Sequence, residues 1–522
     1  MGASLERELK VEVDDSFHVP DLSASVGVSV VSLPEVALEA TYYDTTGYHL
    51  GRWGATLRHR ISSAGSHTWT LKLPAAALDA DDQSERPSGA LERDELDFDG
   101  PADKIPPDAM ALLRTYLRAD VVAPVAVLKT RRRRNLLMSA TDTLAEMDDD
   151  TVEFRSADGR TGTFRELEIE LAENGPVPIL RQIHDVLVAA GVADTAAQPK
   201  LFRAIGGTPE PAVRPVPAEW SRSMSTAELV AVVLARSVGR LLSDDPRVRL
   251  GDDPEALARW RAELGRLAVA MEDTHRVLDT AWCEEVGDGL EQLRRPVDAL
   301  ADLDLLVGRL TAGASRLLPE DQAAALELVD IVASQRKSHH EALADHLDSP
   351  AYLDLVDRLA AAAAEPPVRP GRSRPATATA ERAVHGRLDR LGRSAADALG
   401  KGFHPALRDR GDDDEGVDLT VLARSATEAR ASAELAAHLA GRPAAKLHRA
   451  LAELDGWLGE LGAATAGQRW LRATGSELDG RLAVAAGQLL AGETNCANRA
   501  RRHWTSAWKA VQHRAEKWPK TR

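Results

Sequence analysis

Residues 6–10, Glu6-Arg7-Glu8-Leu9-Lys10, decide how the first part of this chain is read. Taken as a strand with a side-chain period of two, Glu6, Glu8 and Lys10 share one face, while Leu9, Val11 and Val13 share the other. The charged face either meets water or lines the inside of a closed structure.

The same pattern recurs downstream. Arg58 and Arg60 lie two apart in LRHR, Lys72 sits in WTLKL, and Arg93 and Glu95 sit in LERDEL. Lys129, Arg131 and Arg133 are spaced by two in LKTRRRRN, and Glu166, Glu168 and Glu170 alternate with Leu167, Ile169 and Leu171 in RELEIEL. Any one of these reads as an ordinary amphipathic strand with its charges in water. Together they divide into acidic and basic strands. Like charges on neighbouring exposed strands repel, whereas acidic strands facing basic ones across a lumen satisfy both. A closed barrel of about eight strands has room for one small ligand. Lining it with Glu, Lys and Arg is costly unless a cation and a polyanion enter. Carboxylates suit Mg²⁺ or Mn²⁺, and Arg and Lys suit phosphate oxygens, so the expected ligand is a metal-bound polyphosphate.

The chain has 522 residues, enough for two or more domains, and a formal net charge of −16. That balance argues against a general nucleic-acid or anionic-membrane binder. Cys283 and Cys496 are its two cysteines, which excludes a disulfide scaffold and a four-cysteine metal site and fits a reducing cytoplasm. No secretion signal is legible at the N-terminus, and the most apolar helical stretch, 229–242, is interrupted by Arg236 and Arg240. Frequent Arg, Ala, Leu and Asp with few Lys resembles a high-GC bacterial composition.

Strand-like segments at 55–61, 68–73, 125–133 and 163–171 are separated by turn-rich clusters such as DADDQSERPSGA. GGTPEPAVRPVPAEW then reads as a stiff linker, placed at 207–221. From residue 225 onward Leu, Val and Ala recur at spacings of three and four, the pattern of a helical bundle. A Pro-rich stretch at 360–383 divides the bundle into two halves. The expected class is therefore α+β and multidomain, with an eight-stranded antiparallel tunnel at 1–206 and an all-α bundle at 222–515.

Glu6-x-Glu8-x-Lys10 near the start of a chain resembles the signature of the CYTH domain, the triphosphate tunnel metalloenzymes that include thiamine triphosphatases, class IV adenylate cyclases and inorganic triphosphatases. The resemblance extends to Tyr43-Asp44-Thr45, Arg58 with Arg60, Lys72, Lys129-x-Arg131, Glu168-x-Glu170, and Lys200 with Arg203 in PKLFRAI. It implies that Glu6, Glu8, Glu168 and Glu170 bind Mg²⁺ or Mn²⁺, with Glu166 an additional candidate. It also implies that Lys10, Arg58, Arg60, Lys72, Arg93, Lys129, Arg131, Lys200 and Arg203 hold the phosphates. The family places one more acidic residue in the preceding strand, and LAEMDDDTV offers Glu146, Asp148 and Asp150 on one face.

The bundle resembles a CHAD domain, a helical module associated with inorganic polyphosphate, in its position and architecture. Asp253-Pro254-Glu255-Ala256 matches a family turn, and Arg261, Arg266, Asp302, Asp304 and Arg430 remain. Ala258 stands where the family has His, Gly265 and Ala268 where it has basic residues, and Ala301 where it has Arg. His339, His340, Glu341 and His346 do not form HExxH and read as a surface helix. Neither a GxxxxGK[ST] loop nor a strand-linked GxGxxG occurs. The leading expectation is a metal-dependent triphosphatase. A non-catalytic polyphosphate-binding scaffold is the alternative, and a cyclase-like activity ranks below both.

Overall fold

The computed structural model describes residues 4–63, 65–74, 90–194, 198–213, 220–369, 374–400, 419–476, 478 and 480–518. Most of the DADDQSERPSGA stretch, linker residues 214–219 and residues 370–373 of the expected 360–383 loop lie outside them. The chain divides into two compact units, Met1–Ala212 with Leu242–Asp252, and Val213–Leu241 with Asp253–Arg522.

The first unit contains nine described strands: β1 (Ser4–Val13), β2 (Ser29–Ser32), β3 (Val36–Asp44), β4 (Thr56–Ser62), β5 (His67–Pro74), β6 (Ala90–Phe98), β7 (Ala123–Met138), β8 (Thr143–Ser156) and β9 (Thr161–Leu171). Eight of them run β7-β3-β4-β5-β6-β1-β9-β8, and β8 pairs back onto β7 to close an antiparallel barrel. β2 prolongs the line of β3 along β7 across Pro34, whose ring allows no N–H to join the ladder. The β8–β9 hairpin turns at Gly159, whose φ of +87° favours a residue without Cβ.

Closure explains the inverted faces. Leu9, Val11 and Val13 of β1 point outward, joined by Leu137, Met147, Leu167 and Ile169, and all are buried. Their cover is α1 (Leu22–Val26) and α4 (Pro178–Ala189). α4 starts with Pro178 in its first turn and presents Ile179, Leu180, Ile183 and Leu187 from one stripe. The other helices of the unit that precede α6 are α2 (His49–Arg52), α3 (Pro107–Leu117) and the short α5 (Lys200–Ile205). Leu201 and Phe202 of α5 cluster with inward-facing Ala40, Tyr42, Leu128 and Val152, and so stop one end of the lumen with apolar groups.

The second unit is helical. α6 (Thr226–Leu250) begins in it and contributes its last turns to the first unit. α7 (Pro254–Thr274), α8 (Thr280–Ala314), α9 (Pro319–Leu347), α10 (Pro350–Ala364), α11 (Ala376–Gly400), α12 (Leu419–Ala440), α13 (Arg442–Gly475) and α14 (Gly480–Ala515) follow. The Asp-Pro-Glu-Ala motif is a helix start: Asp253 accepts from the N–H groups of Glu255 and Ala256, and Pro254 occupies the first turn. One core joins α11, α12, α13 and α14 through residues such as Leu391, Leu422, Leu447, Leu451 and Trp504, and a second joins α8, α9 and α14. Trp504, Trp508 and Trp518 all lie in the first core. The break expected at 360–383 is narrower, because alanines carry α10 to Ala364 and the Thr-Ala run starts α11 at Ala376.

Replacing Ile183 by Ala removes a fully buried side chain beneath the barrel's outer face. The barrel's urea unfolding transition should lose about 2–5 kcal/mol; an unchanged midpoint would mean that α4 does not anchor this face.

Candidate active site in the barrel lumen

Strand register sets which charges face one another. β1, β9 and β8 are contiguous, with Lys10 opposite Glu168, Glu8 opposite Glu170, Glu168 opposite Asp148 and Glu166 opposite Asp150. These three strands form an acidic wall interrupted by Lys10. Arg58 and Arg60 come from β4 and Lys72 from β5 across the lumen, while Arg93 of β6 and Arg132 and Arg134 of β7 flank the two edges of this wall.

Most of these groups are paired. Lys72 Nζ lies 2.5 Å from Glu6 Oε1 and 2.7 Å from Glu95 Oε2. Lys10 Nζ lies 3.1 Å from Glu8 Oε2 and also donates to Glu168, and Arg93 donates to Glu8. Arg132 donates to both oxygens of Asp150, at 2.9 and 2.7 Å, and to Glu168 at 2.6 Å, and pairs with Asp148. From α5, Lys200 Nζ reaches Asp150 at 2.9 Å, Glu166 at 2.7 Å and Glu168 at 2.6 Å. Arg203 lies over the Phe164 ring and donates to Glu166 and Glu12.

Burial raises the Glu8 carboxyl, but Lys10 and Arg93 outweigh it and hold the group at about 2. Glu168 is held well below its usual range, with Lys10, Lys200 and Arg132 overcoming burial. Asp148 moves the other way: burial, reinforced by Asp150, Glu146 and Glu168 and opposed by Arg132, pushes it up to about 7. Buried pairs of this kind add little net stability, since desolvation offsets the attraction. Their concentration in one lumen is explained by a ligand better than by folding.

Two cations differ from the rest. Among the described residues Arg58 and Arg60 form no ion pair; Arg58 Nη1 donates to the Tyr42 hydroxyl at 3.4 Å, and its Nε is buried without a hydrogen-bond partner. Arg58 and burial together lower the Arg60 guanidinium's proton affinity, a sign of two like charges held close. Arg93 Nε and Asp148 Oδ1 are likewise buried without partners. Unsatisfied groups facing a cavity lined by charge are what an anion and its counter-cation would satisfy.

Glu6, Glu8, Lys10, Arg58, Arg60, Lys72, Arg93, Glu146, Asp148, Asp150, Glu166, Glu168 and Glu170 come together on the inward face, with Lys200 and Arg203 added by α5. Lys129 and Arg131 do not join them. Both are exposed on the outside of β7, where Lys129 pairs with Glu39 at 3.5 Å. Parity is the cause: outward Leu137 belongs to the cluster under α4, so even-numbered Thr130, Arg132 and Arg134 point inward. Four consecutive arginines conceal that parity, and Leu137 was the signal that reveals it. Asp44 is structural, accepting from the N–H groups of Thr45, Leu50 and Gly51 at 2.7, 2.9 and 2.9 Å.

For a divalent cation the donor set is suitable: Asp150, Glu166 and Glu168 bring carboxylate oxygens within 4.8 Å of one another, and hard oxygens suit Mg²⁺ or Mn²⁺. The Lys200 ammonium already neutralises that particular cluster, whereas Glu170 makes no ion pair among the described residues and Glu6 Oε2 has no hydrogen-bond partner.

In the helical unit the arginines of the expected basic face are neutralised. Arg261 pairs with Asp298 and Asp302, Arg266 with Glu263, and Arg430 with Asp455. No helix among the described residues is long and apolar enough to cross a membrane.

Residues 4–194 match the CYTH domain and residues 232–472 match the CHAD domain. Two uncharacterised proteins from strains of Mycobacterium tuberculosis are 28% identical over 335 residues, 60% of this chain; the match spans 61% of their own length. Among solved structures, PptA from Streptomyces chartreusis is 19% identical over 55% of this chain and 100% of its own, with a TM-score of 0.41. The CHAD domain from the plant Ricinus communis is 20% identical over 54% of this chain and 94% of its own, with a TM-score of 0.42. A putative adenylyl cyclase from Hippeastrum, described as having a dominant triphosphatase activity, is 17% identical over 39% of this chain and 96% of its own, with a TM-score of 0.25.

The depressed Glu8 carboxyl contributes stability that is fully present above its ordinary value of 4.5 and is lost as pH falls toward 2. Glu8→Gln leaves Lys10 and Arg93 undercompensated, so it should cost roughly 3–5 kcal/mol at pH 7. That difference should shrink in urea titrations run at progressively lower pH; a pH-independent difference would refute the pairing.

Proposed function

We propose that this chain, which belongs to the CYTH-CHAD arrangement, hydrolyses a triphosphate inside its barrel with the help of a divalent metal. The observation that supports the reading is the Arg58–Arg60 pair, two inward guanidiniums that form no ion pair among the described residues and lie opposite a wall of carboxylates. Arg forks match phosphate oxygens in geometry as well as charge, which suits these two for gripping the substrate. Lys72, Arg93 and Arg132 then lie across from the acids they now neutralise and can shift toward phosphoryl oxygens as a polyanion enters. Lys10 and Lys200 sit among the carboxylates, Lys10 on Glu8 and Glu168 and Lys200 on Asp150, Glu166 and Glu168. Glu6, Glu8, Glu168 and Glu170, with Asp148 or Asp150, would hold Mg²⁺ or Mn²⁺, which supplies Lewis-acid polarisation of the phosphates and a more acidic water.

Phosphoryl transfer asks mainly for positioning and charge neutralisation, so no nucleophilic Ser or Cys is needed. Water oxygen bonds to the terminal phosphorus as the bridging P–O bond breaks. The basic wall stabilises the charge that the departing pyrophosphate acquires, and the carboxylates provide sites for the water's proton. The apolar stop made by Leu201 and Phe202 favours a short chain of phosphates that enters from one end over a long one threaded through.

A second reading, a tunnel that binds polyphosphate without rapid turnover, is favoured by one observation. Lys200 sits among the three most closely gathered carboxylates and would compete with a metal there. Contact of the helical unit with polyphosphate would have to compete with the carboxylates that hold Arg261, Arg266 and Arg430.

Phosphate release from tripolyphosphate, thiamine triphosphate and ATP, with Mg²⁺ or Mn²⁺, separates these readings. Metal-dependent release from at least one substrate is expected, and Arg58→Ala with Arg60→Ala, or Glu6→Ala or Glu168→Ala, should lower kcat/KM by ~100-fold or more. Binding without release would support the scaffold, and cyclic AMP with pyrophosphate from ATP would support a cyclase.

A further inference from the structure

The helical unit holds a cavity of about 240 Å³ between α7 and α8. Leu264, Met271 and Leu290 form its buried apolar floor, and Ala268, Gly287 and Cys283 continue the wall. The space at Gly287 is real, since a Cβ added there would meet nothing within 4 Å. Burial raises the Cys283 thiol above its usual value, so the group stays protonated and acts as a small apolar surface.

The rim is charged but already balanced. Arg294 pairs with Glu291 at 2.8 Å and with Asp298, and Glu291 also pairs with Arg295 at 3.2 Å. Glu272 is held by Arg387 at 3.0 Å and Arg390 at 3.1 Å. These pairings leave the charged rim little to offer an ionic ligand. His275 is the remaining polar group: its Nδ1 lies 2.6 Å from the Glu272 carbonyl, which leaves Nε2 for one hydrogen bond.

We infer that this cavity binds a small uncharged molecule, one ring or two fused rings with at most one polar atom. Its volume lies between that of an apolar cavity that takes benzene, about 150 Å³, and that of drug-sized sites, about 300–1000 Å³. The floor contributes apolar burial, and the imidazole orients the polar atom. This site is separate in chemistry from the barrel lumen, where charged side chains dominate, and it does not depend on hydrolysis there.

The test uses the full chain labelled with ¹³C-methyl methionine, which has six methionines. Met271 is assigned by its disappearance in Met271→Leu. Indole should shift the Met271 resonance saturably and tripolyphosphate should not. Gly287→Leu, which fills the cavity without a backbone clash, should abolish the indole shift while the circular dichroism spectrum is unchanged. In the unsubstituted chain, indole should also slow alkylation of Cys283 by iodoacetamide and leave Cys496 unaffected, read by peptide mass spectrometry. A Met271 shift that does not saturate, that persists in a folded Gly287→Leu, or that follows tripolyphosphate in place of indole would overturn the proposal, as would unprotected Cys283.

Discussion

Closing β8 onto β7 is the constraint on which the first unit depends. Once the sheet is a barrel, each strand's two faces become inside and outside, and the apolar face must find cover on the outside. α1 and α4 supply that cover, so Leu9, Ile169 and Leu137 pack beneath helices while Glu8, Glu168 and Arg132 are forced together in the lumen. The fold thereby gathers charges that would separate in an open sheet. Desolvation of so many ions is tolerable because an acidic wall of three adjacent strands meets basic groups, and most of the buried charges find an opposite partner. The exceptions, Arg58 and Arg60, gain meaning from that background. Among the described residues they form no ion pair, and the nearby Glu95 acts on them only through space, which is what the proposal of an external anion rests on.

Much of this was legible in the sequence. ERELK and RELEIEL each carry a clean alternation, because their apolar residues mark the outer face without ambiguity, and the inward acids of β1 and β9 followed directly; in β8 the run Asp148-Asp149-Asp150 carries charge on both parities and left the choice open. RRRR at 131–134 carries no such mark. With charge on both parities, only the tertiary position of Leu137 decides that Arg132 and Arg134 point inward while Lys129 and Arg131 meet solvent. The role of Asp44 was equally hidden, since a carboxylate that receives three backbone N–H groups looks in sequence like any other acid. Helical periodicity located the second unit, but the boundaries of α10 and α11 depended on how far alanine runs extend a helix toward a Pro-rich connection.

The two units treat charge differently. In the lumen, pairing is dense and buried. In the helical unit, Arg261 and Arg430 hold acids at partly exposed positions, where each pair is worth little and salt screens it, while Arg266 reaches in to the buried Glu263. Arg387 is the exception: fully buried, it ties α7 to α11 and α12 through Asp273 and Glu428 and acts as a structural cross-brace.

The central claim is that the even-numbered charges of β4 and β7 face a phosphate site while the odd-numbered charges of β7 do not. Arginine modification by phenylglyoxal, mapped residue by residue with and without tripolyphosphate, tests it directly. Arg58 and Arg60 should react slowly and become protected by tripolyphosphate, whereas Arg131 and Arg133 should react at the same rate in both conditions. Protection of Arg131 and Arg133 with no protection of Arg58 and Arg60 would contradict the account.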